Sequence, residues 1–64
     1  MISAVARALV RAWDSLNKFT KWTIEQIAGS AIVEAIKEGY SATVEFLKDA
    51  GSTVVNAIGN LLGL

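Results

Sequence analysis

Apolar residues return along this chain at steps of three and four. Over residues 2–16 they are Ile2, Val5, Leu9, Trp13 and Leu16, and Ala6 and Val10 widen the stripe. Ser3, Arg7, Arg11, Asp14 and Lys18 fall on the opposite side. This spacing predicts an amphipathic helix with one face turned to a core. Arg11 and Asp14, at i and i+3, are spaced to pair. Asn17 reads as a break and as the N-cap of the next element. From Lys18 the apolar phase continues through Phe19, Trp22, Ile24, Ile27 and Ala28. Thr20 and Thr23 lower helix propensity there, and one bent helix over 2–28 is the alternative.

Beyond residue 28 the punctuation becomes regular. Gly29-Ser30, Gly39-Tyr40-Ser41 and Gly51-Ser52 each offer a glycine to end a helix in the left-handed region and a serine to cap the next. The segments between them, 31–38, 42–50 and 53–62, carry Ile32, Val33 and Ile36, then Val44, Phe46 and Leu47, then Val54, Val55, Ile58, Leu61 and Leu62. Each set has helical spacing, although the valines near 52–58 also suit a strand. The expected fold is all-α: a compact bundle of four to five short amphipathic helices forming a single domain over 1–64. None has the roughly 20 apolar residues that a bilayer-spanning helix needs.

Composition narrows how such a small bundle holds together. There is no Cys for a disulfide and no His for a structural zinc site, and 53% of the 64 residues are apolar. Helix packing, self-association, a closed backbone or a lipid surface must then complete the fold. Net charge is zero, which argues against nucleic acid as a partner and favours self-association. The zero hides a separation. Residues 1–24 carry Arg7, Arg11, Lys18 and Lys21 against Asp14, a net +3. Residues 25–50 carry Lys37 and Lys48 against Glu25, Glu34, Glu38, Glu45 and Asp49, a net −3, and residues 51–64 carry no charged side chain.

Catalytic chemistry is not expected. General acid–base work needs a base near neutrality or two carboxylates in contrasting environments. Glu34 and Glu38 share a helical face at i and i+4, but Lys37 lies between them and a solvated surface is the simpler reading. Serines 30, 41 and 52 have no base partner, and the five glycines form no phosphate-cradling pattern. No enzyme activity, cofactor, metal or small-molecule substrate is expected.

The chemically distinctive stretch is W-D-S-L-N-K-F-T-K-W, residues 13–22. Tryptophan favours a wet edge beside an apolar one. Lys18 and Lys21 put positive charge beside the rings, and Arg7 and Arg11 extend that charge along the first helix. The expected membrane-contacting set is Arg7, Arg11, Trp13, Lys18, Phe19, Lys21 and Trp22. Trp13 also shares the stripe of Leu9 and Leu16, so core and lipid readings both stand for it. Trp22, flanked by Thr20, Lys21 and Thr23, is the stronger lipid candidate.

That stretch, with the length, the Met1 start without a leader, the lack of Cys and the run of short helices, resembles the leaderless and head-to-tail circular bacteriocins. The resemblance implies a saposin-like helical globule, secreted and acting at the target cell membrane, with bacterial membrane lipids as partner. These families are clearly cationic, whereas this chain is neutral, so attraction to lipid would rest on its basic first third. A soluble helical module that self-associates or docks on a partner is the alternative. No signal peptide is visible, since Arg7 and Arg11 interrupt the only candidate run; an intracellular chain, a mature product and leaderless export all fit. Joining Leu64 to Met1 would make a 21-residue uncharged run from Ala50 to Ala6. Closed and linear backbones both accommodate such apolar ends.

Overall fold

Five α-helices and one 3-10 turn make up the fold in the computed structural model, which describes residues 1–64. The helices are α1 (Ile2–Ala12), α2 (Lys18–Ala28), α3 (Ala31–Glu38), α4 (Tyr40–Ala50) and α5 (Ser52–Leu61), with the 3-10 turn at Trp13–Ser15. No strand forms, and the valines near 52–58 lie in α5.

The first boundary differs from the sequence reading. The α-helix ends at Ala12 instead of continuing to Leu16. A tighter turn follows, and Leu16 and Asn17 are then extended, with ψ of 144° and 166°. Two extended residues rule out one bent helix over 2–28. The expected Arg11–Asp14 pair does not form; the one ion pair in the structure joins Lys48 to Glu45 at 3.6 Å. Asn17 caps α2 as expected, its Oδ1 accepting from the Thr20 N–H at 2.8 Å. Asn17→Ala should therefore cost about 1 kcal/mol and lower the urea midpoint by up to about 1 M. An unchanged midpoint would contradict the capping role.

The later junctions are tighter than a glycine followed by a capping serine. Gly39 alone separates α3 from α4, and Gly51 alone separates α4 from α5. Gly39 ends one helix by donating to the Ala35 and Ile36 carbonyls, and its own carbonyl accepts the Thr43 N–H that starts the next. The backbone there has φ 120° and ψ −171°. It is positive in φ, as expected, but extended in ψ rather than left-handed helical, a region open in practice only to glycine. The serine caps are not formed. Ser41 and Ser52 already lie inside helices, and Ser30 stands at the cap position of α3 without a side-chain hydrogen bond. Because the glycine holds the cap position at the last two junctions, each serine falls one or two residues too late.

All five helices contribute to one core of Val5, Ala6, Leu9, Trp13, Ile24, Ile32, Ile36, Leu47, Val55 and Ile58. Helix α4 is its hub, packing on α1, α3 and α5. It runs antiparallel to α1: Arg7 lies over the Tyr40 ring near one end, while Met1, Ile2 and Ser3 share a cleft with Leu47, Lys48 and Gly51 at the other. Thr43 is the buried polar side chain, and its hydroxyl donates to the Gly39 and Ala35 carbonyls at 2.8 and 3.1 Å. The bond to Ala35 ties α4 to α3 and satisfies a hydroxyl that would otherwise be costly inside.

The first and last helices meet at Gly59. A Cβ built there would stand 3.4 Å from Val5 Cγ2 and 3.5 Å from Met1 Sδ. The Leu64 N–H returns to the Gly59 carbonyl at 2.8 Å. The chain ends therefore lie together, an arrangement common to a linear bundle and a closed ring. Since a methyl group fits at ordinary contact distance, Gly59→Ala should stabilise the fold by up to about 1 kcal/mol through helix propensity. Gly59→Leu should instead cost about 1–3 kcal/mol by overpacking. A urea series on both variants checks this, and an alanine variant less stable than the parent would contradict it.

Candidate functional site

Helix α2 carries two apolar faces, not one. At about 100° per residue, Phe19 and Trp22 lie roughly 60° apart and roughly 140–160° away from Ile24. The structure separates them accordingly. Ile24 is fully buried, with Ile27 and Ala28 packed beside it against the core. Phe19 is 72% exposed and Trp22 57%. The continuous apolar phase read from Lys18 onward therefore divides into an inner and an outer set.

The outer rings lean on each other. Their centroids are 6.2 Å apart, with an angle of 29° between planes, within the usual range for offset aromatic pairs. Behind them the Thr23 hydroxyl donates to the Phe19 carbonyl at 2.9 Å, one turn back. Lys18 is exposed at the start of the same helix. Lys21 is half-buried and reaches the other way, its Nζ 5.7 Å from the centroid of the Trp13 ring. A cation at that distance from an indole is attracted to the ring face.

Trp13 itself belongs to the core, at 9% exposure. Of the two readings open for it, the structure takes core packing. The 3-10 turn that ends α1 holds this ring in the cluster with Leu9 and Ile24.

A second group forms on α1. Arg7 and Arg11 are exposed one turn apart and line an open cleft of about 350 Å³ with Val10 and Tyr40. The Arg7 Cζ lies 5.9 Å from the centroid of the Tyr40 ring. Sequence reasoning missed Tyr40, treating it as part of the Gly39-Tyr40-Ser41 junction. It is the first residue of α4, and only the antiparallel packing of α1 on α4 brings it beneath Arg7.

The seven sequence-predicted residues thus fall into three places: Phe19, Trp22 and Lys18 on the outer side of α2; Arg7 and Arg11 on the cleft; Trp13 in the core with Lys21 against it. Glu34 and Glu38 are both exposed on α3. No helix is long and apolar enough to cross a membrane. Comparison with protein-family models, curated proteins and solved structures gives no match.

Proposed function

We propose that this chain is a secreted, bacteriocin-like antimicrobial protein, a saposin-like bundle that binds and permeabilises bacterial membranes. The observation that carries the reading is the exposed Phe19–Trp22 pair on α2, beside Lys18. Two large rings held in water on one short helix forgo burial worth about 1.5–3 kcal/mol for a ring of phenylalanine size. A bilayer interface supplies an apolar bed for them and a headgroup layer for the lysine.

With no spanning helix, permeabilisation would proceed from the surface. Helix α2, about 16 Å long at 1.5 Å per residue, would lie in the interface plane. Its aromatic pair would wedge between headgroups while the core stayed closed behind Ile24. Basic residues near an anionic surface each contribute on the order of 1 kcal/mol, and Arg7, Arg11 and Lys18 are all exposed to do so.

Dye release from phosphatidylglycerol-containing vesicles at micromolar protein, together with growth of Gram-positive and Gram-negative test strains, checks the proposal. Release with growth inhibition is expected. Intact vesicles and unaffected growth would overturn it.

A second reading has its own support. With six basic and six acidic residues, the fold forms a single ion pair, Lys48–Glu45. The basic first third and the acidic middle third thus remain largely free to pair between copies. Sedimentation equilibrium separates the readings. A self-associating module gives a dimer or larger species at low salt that dissociates as salt rises, and leaves vesicles intact.

A further inference from the structure

We infer that the Lys18–Phe19 peptide bond is a cleavage site for a lysine-directed endopeptidase, and that a cut there dismantles the bundle. Neither part depends on membrane binding. The segment between α1 and α2 is the longest break between α-helices: Gly39 and Gly51 each separate two helices alone, and Gly29-Ser30 separates α2 from α3. Asp14, Ser15, Asn17, Lys18 and Phe19 are all exposed along it. Leu16 and Asn17 are extended, with φ of −74° and −73° and ψ of 144° and 166°. An extended segment can pair its backbone with a partner as an added strand does, and here it leads directly into Lys18. As the first residues of α2, Lys18 and Phe19 have no intrahelical acceptor for their N–H groups, and no turn bond engages them. Only the first turn of α2 has to unwind to extend the chain across the Lys18–Phe19 bond.

The other basic residues are poorer targets. A lysine-directed enzyme presents a carboxylate in its specificity pocket. Lys37 and Lys48 are followed by Glu38 and Asp49, whose charge opposes that pocket. Arg7 and Arg11 lie within α1, and Lys21 lies within α2, half-buried against Trp13. Lys18 is exposed between two uncharged neighbours. Hydrolysis breaks the C–N bond, adding the hydroxyl of water to the Lys18 carbonyl carbon and its hydrogen to the Phe19 nitrogen. The products ionise to a carboxylate on Lys18 and an ammonium on Phe19. That positive charge falls at the start of α2, where the helix dipole opposes it, and the Asn17 cap leaves with the other fragment. Residues 1–18 also carry Val5, Ala6, Leu9 and Trp13 out of the ten core residues. After the cut no covalent bond holds them to the rest, so the core closes only at a concentration that brings two chains together.

Trypsin at a low ratio to the folded full chain, followed by intact mass, is the test. Fragments 1–18 and 19–64 are expected as the first products, and a first cut after any other basic residue overturns the site. Lys18→Gln should slow loss of the intact chain about tenfold; an unchanged rate overturns the site as well. Two further variants separate fraying of one turn from unfolding of the whole. Asn17→Ala removes the cap from the first turn of α2 and should speed the cut about fivefold. Ile58→Val thins the core within α5 and should leave the rate unchanged. Equal acceleration by both variants would mean that cleavage follows global unfolding, and the site fails. The nicked product is finally diluted to low micromolar concentration. Loss of its helical circular dichroism is expected, and a spectrum equal to that of the parent overturns the claim that the cut dismantles the bundle.

Discussion

Phe19→Ala/Trp22→Ala is expected to weaken partitioning onto phosphatidylglycerol vesicles by roughly 30- to 150-fold and leave the fold intact. The estimate takes about 2–3 kcal/mol for partial burial of two rings at an interface. It is separable from folding because both side chains lie mostly in water, 72% and 57% exposed, on the side of α2 away from Ile24. Surface changes of this kind usually move stability by less than about 0.5 kcal/mol. Equilibrium binding by vesicle sedimentation, with a urea titration of the same preparation, gives both numbers. Vesicle affinity equal to that of the parent would remove the aromatic pair from the account. A collapse in stability would show that the rings serve the fold.

Leu47→Ala should have the largest effect on folding itself. Leu47 is fully buried on α4, the helix that packs on α1, α3 and α5. Truncating such a leucine costs about 2–5 kcal/mol through lost transfer energy and the cavity left behind. A 64-residue domain has a total stability of only about 3–10 kcal/mol. The variant should therefore lose near-ultraviolet circular dichroism and bind a hydrophobic dye while keeping much of its helical signal. Leu61→Ala is the control, since Leu61 is exposed at the end of α5 and should cost far less. Equal midpoints for the two variants would contradict the assignment of Leu47 to the core.

Much of the architecture was legible because a few residues leave little choice. Asn17 is a capping residue placed where the apolar phase needs a break, and it caps α2. Gly29, Gly39 and Gly51 mark three helix junctions, all with positive φ. What the pattern could not show is how tightly the chain turns at them. A glycine followed closely by a serine reads as a helix end and then a cap, but Gly39 and Gly51 do both jobs, so α4 starts at Tyr40 rather than at residue 42. The end of α1 was hidden for a different reason. Over a single turn, three residues per turn and 3.6 place Trp13 and Leu16 on nearly the same side. Spacing alone therefore carries the stripe through a 3-10 turn unnoticed.

The candidate site was legible in part. Charge and ring type singled out residues 13–22, but type alone could not divide the two tryptophans. Their fates follow from phase. Trp13 continues the stripe of Val5 and Leu9 and is drawn into the cluster, whereas Trp22 sits opposite Ile24 once the helix is wound at 3.6 residues per turn. Tyr40 was out of reach of any local reading. Its place beside Arg7, 33 residues earlier in the chain, depends on α1 and α4 packing antiparallel, and no spacing within either helix encodes that.

The division of the tryptophans also provides the most direct test of the membrane account. Trp13→Phe leaves Trp22 as the only indole, and Trp22→Phe leaves Trp13. Fluorescence of each variant is recorded before and after phosphatidylglycerol vesicles are added, with circular dichroism confirming that each remains folded. A blue shift is expected for the Trp22 reporter as its ring leaves water, and an emission from the Trp13 reporter that is already blue and does not move. A Trp22 emission unchanged at saturating lipid would contradict insertion of the α2 aromatic pair, and the proposed membrane function with it.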